Sequence, residues 1–240
     1  MLIDLKNVDV YFEDGTELTG AINNGAGYNI GASTITVDGF VGSVPDGARL
    51  SINGDDQYTV TSATDTSGNT TSITFTPALV AAVSDDDVVI AYGIFLRIKV
   101  GDGNITWSEK KPREFKLDRG VLDQVRNADE QPMEVSFQLM YEELTASNPS
   151  TDPPTPEDVL KRRGAAANWL SADQDDPCAP YCINIRLVHT PPNCTSVDKE
   201  RVILPMFYYE DLAHDPKAGT IACTGKCNAT EALVSRIAQA

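Results

Sequence analysis

The chain has 240 residues, of which 41% are hydrophobic, and its 35 acidic and 19 basic residues give a formal net charge of −16. This length and apolar content suffice for a sizeable buried core, which excludes a wholly disordered chain. The negative charge argues against a surface that grips nucleic-acid phosphates through clustered Lys and Arg. This negative charge either keeps the protein soluble or lines a channel wall that repels a polyanion, so that the polyanion can slide past without binding.

Targeting signals are not evident. No apolar run approaches the roughly 20 residues that cross a bilayer, and the N-terminus, Met1-Leu-Ile-Asp-Leu-Lys, lacks the basic and apolar regions of a signal peptide. We therefore expect a protein that is made and kept in the cytosol and that has no membrane partner.

The first part of the chain predicts two β units. Residues 1–19 predict a strand pair around the turn residues Glu13-Asp14-Gly15-Thr16. From residue 20 to about residue 92 the chain is rich in Gly, Ser, Thr, Asp and Asn, and Arg49 is its only basic residue. This stretch predicts an all-β module inserted into a host domain of residues 1–19 and 93–240. Its predicted strands are about five runs, at 34–40, 48–53, 57–62, 71–76 and 88–92.

The host domain resumes with further strands. Residues 94–100 and 105–109 predict a hairpin around the polar turn 101–104. A strand at 113–117 and a loop at 118–132 follow, and residues 133–144 alternate apolar and polar side chains as a long strand does.

One helix is predicted, at residues 156–171. Thr155 is a good N-cap, Pro156 suits the first helical position, and Glu157 and Asp158 complement the helix dipole. The apolar stripe of this helix would consist of Val159, Leu160, Ala167 and Leu170.

The rest of the host domain completes the fold prediction. Strands are predicted at 183–189, 201–209 and 220–224, and a short helix at 230–238. The predicted fold class is mainly β, with a sandwich or barrel flanked by one α-helix and a small inserted all-β module.

The sequence gives little support for a catalytic site or a cofactor-binding site. The two histidines, His189 and His214, have no nucleophile elbow or Gly-rich serine turn beside them, so we interpret both as exposed or capping residues. We predict no catalytic residue and no cofactor.

The cysteines form the one pattern that suggests a metal. Two pairs have three residues between their members, whereas structural zinc sites usually have two. Metal binding, disulfide bonds and ordinary buried thiols all remain open, and we favour the thiols. The odd number excludes a fully paired framework. The five cysteines are Cys178, Cys182, Cys194, Cys223 and Cys227.

A family resemblance rests on the order of several segments. They cover most of residues 94–230, and together they resemble phage tail tube proteins. The segments are 96–111, 115–126, 129–137, 159–169 and 218–229.

This resemblance implies a structural virion protein and not an enzyme. Sheets from six subunits would join edge to edge into a ring with the helix outside, and stacked rings would form the tube through which DNA passes during ejection without specific binding. The protein would be located in the virion tail and assembled in the host cytoplasm. Its partners would be further copies of itself, the tail terminator, the baseplate or tip, the tape measure protein and a sheath where the tail has one.

The resemblance also implies subunit contacts. We place residues 109–132 and the N-terminal residues 1–6 against neighbouring subunits, and in an isolated subunit we expect the former to be a mobile surface loop. Module 20–92 departs from the minimal family pattern and would lie outside the tube, where it does not block DNA. The predicted contact residues are Glu109, Lys110, Lys111, Arg113, Asp118, Arg119, Asp123, Arg126, Asp129 and Glu130.

Three other functions were weighed. In the main alternative, a phage receptor-binding protein or adhesin, module 20–92 would bind surface glycans, weakly per copy but with avidity along a tube. Against it, the module has no Trp, and its aromatic residues are few. The second alternative is a metal-dependent hydrolase that uses the cysteines, but the sequence places no general base beside them. The third is another phage tail component, either a tail terminator or the tube of a sheathed tail. The aromatic residues of the module are Tyr28, Phe40, Tyr58, Phe75 and Tyr92.

Overall fold

The computed structural model describes residues 8–66, 69–98, 105–119, 121–140, 153–176, 178–191 and 198–237. Several predictions lie outside these residues: the contacts of residues 1–6, the turn 101–104, the strand end 141–144 and residue 238. The elements in chain order are β1 (Val8–Glu13), β2 (Glu17–Ile22), β3 (Thr34–Asp38), β4 (Arg49–Ile52), β5 (Asp55–Thr66), β6 (Thr70–Thr76), β7 (Val88–Tyr92), β8 (Phe95–Ile98), β9 (Thr106–Ser108), β10 (Arg113–Asp118), β11 (Val121–Asn127), β12 (Met133–Met140), α1 (Pro156–Lys161), β13 (Ile183–His189), β14 (Lys199–Asp215), β15 (Thr220–Cys227) and β16 (Leu233–Ile237).

The strands form three separate sheets. A closed barrel has the order β2-β3-β6-β5-β4-β7, and a large antiparallel sheet has the order β8-β1-β13-β14-β15-β12-β9, with β16 added to β14. Strands β10 and β11 pair only with each other. The prediction of a mainly-β protein is confirmed, and its α-helix is short. No helix in the described part of the chain is long and apolar enough to cross a membrane.

The barrel has a core of its own. Alternate residues of its strands point inward, and the rings of Tyr58 and Phe75 meet edge to face with centroids 5.2 Å apart. The five predicted strands are all present. The sixth strand, β2, starts at Glu17, so the predicted module boundary at residue 20 falls inside a strand.

The strand pair predicted at residues 1–19 is wrong. Strand β1 pairs with β8 and β13, whereas β2 pairs with β3 and β7 inside the barrel. Each strand was predicted correctly from its own residues, but a polar turn between two strands does not require them to pair with each other. Here it carries the chain from one core to the other.

The hairpin predicted at residues 94–109 is also wrong. Strand β8 pairs with β1, strand β9 pairs with β12, and the two lie at opposite ends of the sheet order. Ile98 and Ile105 nevertheless lie in the same hydrophobic core, so the sheet curves until its two ends face each other.

Strand β14 makes this curvature possible. Its first half pairs with β13 and β16 and its second half with β15. Between the halves the register shifts, and Met206 has a φ of 48° while its N–H donates to the Asn184 side chain at 3.0 Å. A bulge of this kind bends a strand. The result is two layers that share one core: layer one contains β8, β1, β13 and the first half of β14, and layer two contains the second half of β14 with β15, β12 and β9.

The predicted helix 156–171 is too long. Its start is correct, since Thr155 Oγ1 accepts from Asp158 N and Asp158 Oδ2 accepts from Thr155 N, both at 3.2 Å. It ends after Lys161 because Arg162 adopts a left-handed conformation, with φ at 50°. The predicted stripe is half right: Val159 and Leu160 are buried, Ala167 and Leu170 are exposed, and the core contacts that follow the helix come from Ala166 and Trp169.

Two further predictions are corrected. The predicted C-terminal helix is a strand, since β16 pairs along β14 from Lys199 to Ile203. The predicted loop 118–132 contains β11, which folds back on β10. In both places strand pairing, which depends on residues distant in sequence or on a turn, overrides weak local preference.

Asp14 stabilises the two chain segments that connect the host domain to the barrel. Its buried carboxylate accepts hydrogen bonds from Thr16 N (3.0 Å), Thr16 Oγ1 (2.7 Å), Ile94 N (3.3 Å) and Leu170 N (3.2 Å). Ile94 belongs to the returning chain and Leu170 to the segment after α1. The Asp14 side chain therefore links the segment that enters the barrel and the segment that leaves it to the host domain.

We expect Asp14→Ala to destabilise the folded chain by about 2–4 kcal/mol, because it removes the acceptor of four part-buried donors at once. Urea denaturation would measure this. The matched control is Asp46→Ala at an exposed barrel turn, which should change stability by less than about 0.5 kcal/mol. Equal effects of the two substitutions would contradict this role for Asp14.

Candidate assembly surfaces

The outer face of layer two is polar, and no segment among the described residues covers it. Alternate residues of its strands point away from the core, and most are short and uncharged or acidic. They line a shallow groove of about 450 Å³ that includes Thr106, Ser108, Glu134, Thr224 and Lys226. Pairing places the following residues on this face: Glu134, Ser136, Gln138, Met140, Asp211, Ala213, Asp215, Thr220, Ala222, Thr224 and Lys226.

The two basic groups at this face are neutralised by neighbours. Lys226 Nζ lies 2.9 Å from Glu210, and Lys110 Nζ lies 2.7 Å from Glu134. These hydrogen bonds raise the pKa of Lys226 and lower that of Glu134. Since Asp211 and Asp215 add further negative charge, the face as a whole is acidic.

The outer face of layer one is partly covered by the barrel, while Arg97 and Asp9 on the same face stay exposed. Arg201 on β14 is fully buried, and its guanidinium lies 3.0 Å from the Asp56 carboxylate on β5 and also donates to the Asp56 carbonyl. Arg201 Nε donates to Ser235 Oγ at 3.0 Å. Gly47 of the barrel lies so close to the ring of Phe95 that an added Cβ would stand 3.0 Å from it. The barrel and the outer face of layer two are therefore on opposite sides of the host core.

The segment predicted to touch neighbouring subunits is a protruding hairpin. Its strands pair Phe115 with Val125 and Leu117 with Leu122, which places these four apolar side chains on one face. Each of them is between 53% and 63% exposed. The opposite face carries charged and polar residues such as Glu114. The alternation of apolar and charged residues in 113–126 was the signal for this amphipathic ribbon, and sequence reasoning missed it.

The predicted contact residues divide into three groups. At the base of the hairpin, Lys110 binds Glu134, Lys111 lies 2.8 Å from Glu231, and Glu109 accepts from Ala232 N. On the ribbon, Arg113 bonds Asn127 and Arg126 bonds Gln124, while Asp118 and Arg119 lie at its tip. Asp129 and Glu130 are exposed beyond β11, and the side chain of Asp123 is not among those described.

The four cysteines that the structure describes are free thiols. Cys182, Cys223 and Cys227 are buried free thiols and Cys178 is an exposed one, while Cys194 lies outside the described residues. Burial raises the pKa of Cys223 and of Cys227 to about 12, so thiolate, the form that binds metal, is scarce. The described residues contain no group of three or more His, Cys, Asp and Glu that could hold a metal ion.

The histidines differ from each other. His189 is buried in β13, so the prediction that it is exposed or capping is wrong. His214 lies on β14 with Nε2 3.4 Å from Glu157 of α1. Glu157 also binds Lys161 at 2.5 Å and Arg163 at 3.2 Å, and this cluster fastens the helix to layer two.

The Glu157 cluster predicts a dependence of stability on pH. Burial raises the pKa of Glu157, but the hydrogen bond and charge of Lys161, with the charges of Arg163 and His214, outweigh burial and hold that pKa below 4.5. A lowered carboxyl pKa stabilises the fold above the unfolded-state pKa, and this stability is lost as the pH falls through the folded-state pKa.

We therefore expect Glu157→Gln to cost stability at pH 7 and the difference from the native chain to shrink below about pH 4.5. Urea denaturation at a series of pH values measures it. Glu114→Gln, at an exposed ribbon position, should show little difference at any pH. A Glu157→Gln difference that stays constant down to pH 3 would refute this assignment.

No family model, curated protein or solved structure matches this chain. The similarity to tail tube proteins thus remains a prediction from the order of its segments. The surfaces described above are the basis for proposing what the chain does.

Proposed function

We propose that this chain is a structural protein of a bacteriophage tail, whose copies close into hexameric rings that stack into the tube through which DNA passes. The observation that carries the proposal is the contrast between the two outer faces of the host core. In the described part of the chain, one is acidic, polar and uncovered, and the other is partly covered by the barrel. A wall with these two faces suits a conduit for a polyanion, because its acidic side repels DNA and does not bind it.

Open sheet edges support closure into a ring. Strands β8 and β9 end the sheet order, and the three residues of β9 are all exposed. An exposed edge in a monomer invites pairing with another chain. When each copy pairs with the next around a closed ring, this liability becomes the assembly interface.

The position of the barrel is compatible with an open bore. If the acidic face of layer two lines the channel, the barrel projects from the opposite side of the host core and lies outside the tube. It then decorates the tube without obstructing DNA.

The adhesin alternative has less support. Phe40, Tyr58 and Phe75 are buried in the barrel core, Arg49 stacks over Tyr92 at 3.3 Å, and the Tyr28 hydroxyl accepts from Thr36 N. All five aromatic side chains of the barrel are thus buried or half-buried, and none is fully exposed as a platform for a sugar. Glycan contact through hydroxyl groups alone would be weak for each copy.

Negative-stain electron microscopy of the purified chain over a series of concentrations tests the proposal. We expect hollow tubes or six-fold rings of uniform diameter, and light scattering should give multiples of a hexamer. A chain that stays monomeric up to millimolar concentration, including after addition of preformed tail tips, would contradict the conduit function.

A further inference from the structure

The junction between the barrel and the host core buries three guanidinium groups. The side chains of Arg49, Arg186 and Arg201 are 9%, 3% and 0% exposed. Glu13 Oε1 lies 2.5 Å from Arg186 Nε. Asp56 lies between the other two, 3.0 Å from Arg201 and 3.5 Å from Arg49. Three guanidinium groups against two carboxylates leave these five side chains, which we call the junction cluster, with a net charge of +1.

The junction cluster is compact. In the pairing of β13 with β14, Arg186 lies opposite Ile203, and Arg201 is two residues from Ile203 on the same face. Such diagonal neighbours stand about 7–8 Å apart, and Asp56 then bridges Arg201 to Arg49. Burial lowers the pKa of Arg201, and despite Asp56 the charges of Arg49 and Arg186 lower it further, so both lie within electrostatic reach of Arg201.

The guanidinium groups are held in place by their neighbours. Arg49 lies over the ring of Tyr92, 3.3 Å from its centroid, and Arg186 lies over the ring of Tyr11 at 4.4 Å. Arg201 is fixed by the hydrogen bonds described above. The positions of these cations are therefore set before any ligand binds, and a ligand bears little of the cost of ordering them.

Each guanidinium group also keeps a nitrogen that no protein atom satisfies. Arg49 Nε, Arg186 Nη2 and Arg201 Nη1 are buried and have no hydrogen-bond partner among the described residues. Glu13 Oε2, a buried acceptor of the cluster, also has none, but it is a single acceptor facing three guanidinium groups. A buried donor without an acceptor costs free energy, and a buried charge without a counter-charge costs more. An anion in the cluster would offset both costs.

We propose that the junction cluster is a binding site for one small monovalent anion of the halide class, which fastens the barrel to the host core. One negative charge balances the net +1. Since Arg49 and Arg201 share the Asp56 carboxylate, the space between them favours a single-atom anion over a tetrahedral oxyanion. The Asp56 side chain is 39% exposed, which gives solvent ions access. The inference goes beyond the proposed tube, because the barrel and the host core belong to one chain.

Thermal unfolding at constant ionic strength tests the site in solution. Sodium gluconate, whose anion is too large for the cluster, is replaced stepwise by sodium chloride. A ligand that binds only the folded chain stabilises it, so we expect the midpoint to rise by about 3–5 °C for each tenfold increase in chloride above Kd. A midpoint that does not change with chloride would overturn the proposal.

Two arginine variants separate the site from general salt effects. Arg49→Gln removes the excess charge and one donor, so we expect the chloride response to disappear. The matched control is Arg97→Gln on the same face of the host core, where the side chain is 67% exposed, and its chloride response should equal that of the native chain. An Arg49→Gln variant that responds to chloride like the native chain would show that the ion binds elsewhere.

Bromide gives a direct readout on the native chain and does not depend on whether Arg49→Gln folds. Crystals soaked in sodium bromide should show an anomalous scattering peak in contact with at least two of the three guanidinium groups. A water molecule there instead of bromide, or bromide only at other places, rules the site out. A bromide peak without a chloride response in solution means binding at crystal concentration only, and it also overturns the proposal.

Discussion

Replacing Phe137 with Ala is expected to destabilise the fold by about 3–5 kcal/mol, the usual cost of removing a buried aromatic ring from a core. Phe137 is 2% exposed on β12, and its ring lies 5.8 Å from that of Phe12 and 5.5 Å from that of Phe207. Phe12 belongs to layer one and Phe137 to layer two. The substitution therefore leaves a cavity where the two layers meet.

The matched control is Met140→Ala at the end of the same strand. Met140 points to the opposite face and is 45% exposed, so we expect a change of less than about 1 kcal/mol. Urea denaturation of both variants, with circular dichroism to verify folding in water, gives the comparison. If the two substitutions cost the same, the assignment of the two faces of β12 is wrong.

If the chain forms the proposed tubes, reversing the charge of the outer face of layer two is expected to make them retain DNA. Asp211→Lys with Asp215→Lys replaces acidic groups by phosphate-binding ones in every subunit of every ring. Counterion release then favours DNA binding by about a hundredfold or more at low salt and steeply less at high salt. We expect native tubes to leave added DNA open to nuclease and the variant tubes to protect it.

The control places the same charge changes on the barrel, as Asp85→Lys with Asp86→Lys. This variant should bind DNA on the outside and leave it open to nuclease. Protection by the barrel variant, or none by the Asp211 and Asp215 variant, would show that the face of layer two does not line a channel.

The local patterns of this chain predicted much of its secondary structure. The barrel strands, the capped start of α1 at Thr155 and the alternation along β12 follow from side chains within a few residues of each other. Such patterns depend on strand and helix period, on turn residues and on capping, all of which are properties of short segments.

Most of the errors concern partners distant in sequence. The turn between β1 and β2 was predicted, but the two strands were wrongly predicted to pair with each other. Strands β8 and β9 were predicted to form a hairpin, although they lie at opposite ends of one sheet. The start of α1 depends on capping residues that are close in sequence. The course of the chain after α1 depends on the packing of Ala166 and Trp169 against a core that is built from distant strands. Alternation within a strand shows that one face is buried and leaves open what covers it.

The sequence by itself determined that this is a mainly-β protein with an acidic surface, a Thr- and Gly-rich module and one capped helix. Only the tertiary structure decided that Arg201 and Asp56 join the barrel to one face of the host core, and that Phe115 and Leu117 are exposed on a two-stranded ribbon. Among the described residues, it also leaves the other face of the host core without a cover. The physical reason is that charge, strand period and capping are fixed by neighbouring residues. Which surface becomes covered depends on long-range pairing, and that is settled only when the whole chain has folded.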